Sequence, residues 1–254
     1  MIRLTRSPEP AALPAHRAAK LQAARSAVAA GQSPVLDGYD AHGEKETLFQ
    51  DQRRKCAYCE KREEQAKYRP VEHYRPRSRY WWLTWTWENL LFACTDCNSD
   101  HKKAHFPLAD EAARLRPEDA PPGHERPDLV DPFEPSLDPT QDIEFCRERV
   151  QGQERWRPVG RSRRGHATVK ICGLDRPGLL DLYGNHVRKV VRPRVEYWRK
   201  VRDLGDAQAI VSAWSTLRRG LFAPEAEFQL LSRDALRALV SAEDRARYHL
   251  ELPF

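Results

Sequence analysis

Cys56-Ala57-Tyr58-Cys59 and Cys94-Thr95-Asp96-Cys97 are the stretches on which the fold turns. Two residues between cysteines let one tight turn aim both sulfurs at a single ion. Two such knuckles complete a tetrahedral four-cysteine zinc site. One such pair alone would read as a redox pair or a coincidence; two in one chain read as a structural zinc site. The 34 residues between the pairs exceed the usual zinc-ribbon gap, so something is inserted between the knuckles, and the chemistry is to be sought in that insert. Cys146 and Cys172 stand alone and read as small buried apolar residues.

The insert and its flank run Val71-Glu72-His73-Tyr74-Arg75-Pro76-Arg77-Ser78, then Trp87-Glu88-Asn89-Leu90-Leu91-Phe92-Ala93-Cys94, then Cys97-Asn98-Ser99-Asp100-His101-Lys102-Lys103. An acidic-His pair followed by Pro and Ser, an Asn-Leu start to a short apolar strand, and CxxCN opening a basic helix resemble the HNH endonucleases of the ββα-metal type. The wider pattern resembles the PtuB-type HNH proteins of retron and Septu anti-phage systems. It includes Leu48-Phe49, Cys59-Glu60, Phe106-Pro107-Leu108, Leu129-Val130-Asp131-Pro132 and Gly173-Leu174. The resemblance implies a magnesium- or manganese-dependent nuclease leaving a 3'-hydroxyl and a 5'-phosphate. It also implies a PtuA-type ATPase partner and a role against phage. It makes Glu72 and Asn98 the metal ligands and gives Asn89 the bracing of the loop that carries His73.

The residues suit that chemistry independently. Phosphodiester hydrolysis needs a base for water, a cation for developing charge and a frame aligning both. Neutral imidazole is available near pH 7, so His73 fits the base, although a hydrogen-bonded strand histidine is the plain alternative. If residues 71 to 74 are extended, Glu72 and His73 face opposite ways. Asn98 offers an amide oxygen suited to a hard cation. The third letter of the H-N-H pattern is Asn here, which leaves His101 and His105 as alternative ligands, with Asn98 preferred. Asn89 alone would read as a turn or cap residue.

Charge is unevenly divided. Residues 147–202 carry 16 basic against 5 acidic side chains, whereas residues 104–146 carry 3 against 11, so the overall +6 conceals a strongly basic block beside an acidic one. Clustered Arg suits a polyanion; a solvated charged face is the alternative. Arg75, Arg77, Lys102, Lys103, Arg161, Arg163 and Arg164 are the candidate nucleic-acid contacts. DNA is favoured and RNA, including transfer RNA, stays open. The other functional class is a zinc-bearing nucleic-acid-binding subunit without catalysis.

A mean hydropathy of -0.76 and the absence of any run near the ~20 apolar residues of a membrane span argue against a membrane protein. Ala27-Val28-Ala29-Ala30 looks like a leader cleavage site, but His16, Arg17, Lys20 and Arg25 interrupt any apolar stretch before it, and a cytoplasmic location is expected.

The expected fold is α+β and mainly helical, a ββα core with its four-cysteine site flanked by helices. Residues 1–52 form an N-terminal helical segment, 53–108 the HNH core, 109–146 an acidic Pro-rich linker or wrapping segment, and 147–254 a basic, mainly helical region. Helices are expected at 11–31, 44–54, 96–104, 177–203, 206–219 and 232–247, and strands near 70–74 and 89–93. In Tyr80 to Trp87, alternation would put Trp81, Leu83, Trp85 and Trp87 on one side, for packing rather than base stacking.

Overall fold

Two three-residue strands form the frame on which both knuckles hang. β1 (Val71–His73) pairs antiparallel with β2 (Leu90–Phe92), placing Glu72 opposite Leu91 and His73 opposite Leu90. So short a pair is marginal alone. The Gln52 amide extends it, donating from Nε2 to Phe92 O at 2.7 Å and accepting from Phe92 N at 2.8 Å. Ala57 N also donates to Phe92 O at 3.1 Å, which ties the first knuckle to β2. The structure is a computed structural model that describes residues 1–66 and 70–253.

The helix expected at 96–104 is present as a wide π-helical turn over Asp96–Lys102. Lys103 N donates to Asn98 O, five residues back, at 2.7 Å. Such turns are uncommon and concentrate at functional sites. Here Cys97 reaches the sulfur cluster while Lys102, 0% exposed, is driven into the core.

The strand pair separates two apolar clusters. Val71, Leu90 and Phe92 join Leu13 and Ala24 of α1 (Leu13–Ala29), Leu48 and Phe49 of α2 (Glu44–Asp51), and Trp85 and Trp87. Leu91 and Ala93 face the larger cluster, with Tyr58, Tyr74, Trp82 and the C-terminal helices. The tryptophan run packs, but not by strand alternation. It is coiled into 3-10 turns at Trp81–Leu83 and Trp87–Asn89, so Trp82, Trp85 and Trp87 are buried while Trp81 is partly exposed. Their indole N–H groups reach Asp119 O, Asp37 O and Ser7 O, pinning three irregular segments to the core.

The acidic stretch wraps against both neighbours. Leu115, Leu129, Val130 and Leu137 are buried from it, and it ends in α3 (Pro139–Asp142). A hairpin follows that the helical expectation for 147–254 did not include: β3 (Ile143–Val150) pairs with β4 (Gln153–Gly160). Position 146/147 therefore lies inside a strand. Gln151 (φ 51°) and Gly152 (φ 79°) make its two-residue turn, with both φ values positive as the strand twist favours.

Behind the hairpin, the first turn of α4 (Arg163–Ile171) holds a glycine that admits no side chain: a Cβ on Gly165 would lie 1.8 Å from Asp142 O. α5 (Pro177–His186) runs through a π turn, Val187–Val191, into α6 (Arg192–Asp203), followed by α7 (Ala207–Leu221). The helix expected over 232–247 is instead α8 (Gln229–Leu239) and α9 (Ala242–Arg247). Ser241 breaks it by capping α9, its Oγ accepting from Asp244 N at 3.0 Å.

His186 joins α5 to α8 through Nε2, 2.8 Å from Ser232 Oγ, and its ring stands edge-on to Phe228. Burial lowers its pKa from 6.5 to about 4. Between those values the unfolded chain binds the proton and the folded one does not, so this histidine's share of stability is lost as pH falls from 6.5 towards 4. His186→Gln should flatten the pH dependence of urea-unfolding free energy in that window by up to about 1.4 kcal/mol per pH unit. Equal pH slopes for parent and variant would refute this.

Candidate functional site

The four thiols of Cys56, Cys59, Cys94 and Cys97 lie within 4.8 Å of one another, all buried. Cys59 and Cys94 sulfurs are 3.9 Å apart, close to the ~3.8 Å edge of a tetrahedron with 2.3 Å zinc–sulfur bonds. The donor set suits a zinc ion, and its spacing needs only a small contraction to close on one. Cys97 Sγ also accepts from the Arg176 guanidinium at 3.5 Å, and that side chain pairs with Asp96 at 3.2 Å, so the start of α5 docks on the second knuckle.

A separate cleft of about 300 Å³ is lined by Glu72, His73, Arg77, Ser78, Asn98 and Lys103. His73 is 7% exposed, and its Nε2 lies 2.9 Å from Thr84 O. A carbonyl only accepts, so Nε2 carries the hydrogen and Nδ1 keeps the lone pair. Burial, opposed by the bond to Thr84 and aided by Arg77 and Lys102, lowers the His73 pKa to about 4, keeping the ring neutral at pH 7. Tyr39 packs edge-on against it at 4.7 Å.

Glu72 points to the opposite side of β1 and is 2% exposed. Its Oε1 accepts from Tyr58 OH at 3.0 Å and pairs with Lys102 Nζ at 2.5 Å. Burial raises its pKa, with Lys102 and Tyr58 pulling the other way. Lys102 Nζ also donates to His73 O at 2.9 Å, so one ammonium holds the backbone and the carboxylate of consecutive residues. Tyr58 lies inside the first knuckle, which links Glu72 to the sulfur cluster. Asn98 is half-buried and donates from Nδ2 to Val71 O at 3.4 Å, leaving Oδ1 as its acceptor. Asn89 accepts from Arg75 N at 2.8 Å and donates to Arg75 O at 3.0 Å and Leu83 O at 3.2 Å, clamping the turn after His73 against the tryptophan run.

His101 and His105 line another cleft, so neither shares the one that Glu72, His73 and Asn98 line. His101 packs on Gly173, where a Cβ would come within 2.4 Å of its Nδ1.

The basic candidates divide. Arg77 and Lys103 are exposed at the cleft, with Arg77 donating to Leu36 O and lying 5.1 Å from the Tyr39 ring. Arg75 and Lys102 are buried and unavailable to phosphate, because Arg75 pairs with Glu125 at 2.8 Å and Lys102 with Glu72. Arg163 pairs with Asp128 at 2.7 Å yet stays 68% exposed, and Arg164 is held by Glu134 at 2.6 Å and Asp142 at 2.8 Å. Arg161 is exposed, 3.9 Å from Glu144.

Residues 56–104 match the family model described as HNH endonuclease. The chain carries an HNH domain. A Septu protein PtuB from Bacillus mycoides (strain KBAB4) is 31% identical over 143 residues, covering 50% of this chain and 45% of that protein. A second Septu protein PtuB, from Bacillus thuringiensis, is 44% identical over 52 residues, 20% of each chain. The chain thus spans less than half the length of these curated relatives. No solved structure matches. Among the described residues, no helix is long and apolar enough to cross a membrane.

Three residues around the HNH site escaped the sequence reading. Tyr58 stood between two cysteines and could have been suspected; Tyr39 and Thr84 reach His73 only through tertiary packing.

Zinc analysis of the protein purified without chelator should find about one ion per chain, and Cys56→Ser or Cys97→Ser should lose it together with folded stability. A well-folded, metal-free preparation would contradict this. Lys102→Met should cost about 3 to 5 kcal/mol in chemical denaturation, because it strands a buried carboxylate. Adding Glu72→Gln should recover part of the loss; a double variant no more stable than Lys102→Met would show that the pair is not coupled.

Proposed function

We propose that this protein is a divalent-metal-dependent HNH endonuclease that hydrolyses nucleic-acid phosphodiester bonds. The observation carrying this reading is the His73 ring: neutral, oriented by Thr84 O, with Nδ1 unbonded among the described residues, in a cleft that Glu72 and Asn98 also line. A binding module needs no oriented base there.

Asn98 Oδ1 would hold magnesium or manganese at the cleft, and Glu72, whose carboxylate is turned across β1 onto Lys102 and Tyr58, would join it by exchanging that pair for the ion, with water completing the shell. The cation's chemistry is to stabilise charge on the phosphate and on the leaving oxygen. His73 Nδ1 takes the proton from the attacking water, and the Nε2–H bond to Thr84 O steadies the imidazolium that results. Asn89 keeps the turn after β1 from moving the ring. Arg77 and Lys103 at the rim hold substrate phosphates, a sequence-independent contact. The four-cysteine zinc site keeps the frame in place and takes no part in the reaction.

The likeness to Septu PtuB proteins supports a role as nuclease effector in anti-phage defence, beside a PtuA-type ATPase partner.

His73→Ala should lower cleavage by about a hundredfold to ten-thousandfold while zinc content, fold and nucleic-acid affinity stay near those of the parent. Asn98→Ala should raise the metal concentration needed for half-maximal rate. The assay is run with DNA and RNA, with and without the partner ATPase. A His73→Ala protein cutting as fast as an active parent would end the HNH mechanism.

A further inference from the structure

The two histidines turned away from the HNH cleft lie in a larger space beside it. A cleft of about 570 Å³ is lined by Arg79, His101, His105 and Lys170, with Glu111 and Ala104 also on its wall. Ala104 lines both clefts. Ser78 lies on the HNH side and Arg79 on the other; Lys103 lies on the HNH side and His105 on the other. The two spaces therefore meet at a lip one residue wide.

The charges facing this second cleft are unevenly satisfied. Arg79 and Lys170 are exposed, and neither side chain makes a hydrogen bond or ion pair among the described residues. Glu111, the acid on the wall, is held by Arg114 at 2.5 Å. Arg79 feels the Glu111 carboxylate across the cleft without bonding to it, so two exposed cations beside the HNH cleft give phosphates a place to follow, and the neighbouring imidazoles add donors and flat faces.

We propose that this second cleft is the continuation of the substrate path: a nucleic-acid strand seated in the HNH cleft crosses the Lys103–Ala104 lip, and Arg79 and Lys170 hold its next phosphates. The proposal rests on the nuclease reading for its direction, and on the adjacency and charge of the clefts for its location. His101 and His105 then belong to the substrate path rather than to the metal.

Arg79→Gln, Lys170→Gln and the double variant test it in the full-length, zinc-loaded chain, with Lys189→Gln as a control on an exposed lysine that lines neither cleft. Binding is read in the His73→Ala background by fluorescence anisotropy of labelled DNA and RNA across a salt series. Each substitution should reduce the salt slope by about 1, and the double by about 2, with the control unchanged. In the active chain, KM for nucleic acid should rise roughly tenfold for the double variant. Hydrolysis of bis(p-nitrophenyl) phosphate, a diester small enough for the HNH cleft alone, should keep its rate. A salt slope equal to the parent's, a control that falls as far, or a parent that binds no nucleic acid overturns the substrate path. If the parent cleaves neither nucleic acid nor the small diester, the nuclease reading fails, while the binding slopes still decide the path.

Discussion

Four thiols within 4.8 Å of one another are the constraint from which the rest is hung. Two three-residue strands do not hold a rigid frame by themselves. Here the first knuckle is bonded to β2 through Ala57, the second follows from β2 directly, and Arg176 brings α5 against the same sulfurs. A divalent ion bound by four thiolates would leave a net negative charge in a buried place, which the Arg176 guanidinium, 3.5 Å from Cys97 Sγ, would partly offset. A metal there would add a cross-link to the two apolar clusters that already cover the strand pair.

A second layer of order comes from buried ions. Glu72 with Lys102 and Tyr58, and Arg75 with Glu125 and Tyr80, are paired inside the protein on either side of His73. Such pairs contribute little net stability compared with apolar side chains of the same volume, because each charge has lost its water. What they do enforce is geometry: Lys102 reaches both Glu72 and His73 O, and Glu125 also accepts from Leu115 N at 3.0 Å. Slippage of β1 by one residue would leave several charges stranded at once.

What could be read in advance follows the range of the interaction involved. The knuckles, the strand pair, α1 and α2 are local patterns and were legible. The β3–β4 hairpin was obscured because its outer half carries Arg and Glu on both faces, so only Gln151-Gly152 marked it. The same limit applies to the arginines. Arg75 and Arg77 are two residues apart in one motif, yet one is buried on Glu125, fifty positions away, and the other is exposed at the cleft. No local rule separates them.

The charge map needs the same correction. The excess of basic residues in 147–202 is partly consumed at home, since Asp128, Glu134 and Asp142 of the acidic stretch bind Arg163 and Arg164, and Glu144 lies 3.9 Å from Arg161. The acidic segment is therefore an internal counterion as well as a wrap. A cation already bonded to a carboxylate presents a weaker field to phosphate than a free one. Arg77, Arg79, Lys103 and Lys170 make no ion pair within bonding distance among the described residues, Arg79 feeling Glu111 only across the cleft, and all four line the two clefts that meet at Ala104. Where positive charge is left unpaired, rather than how much a segment contains, decides where a polyanion would lie.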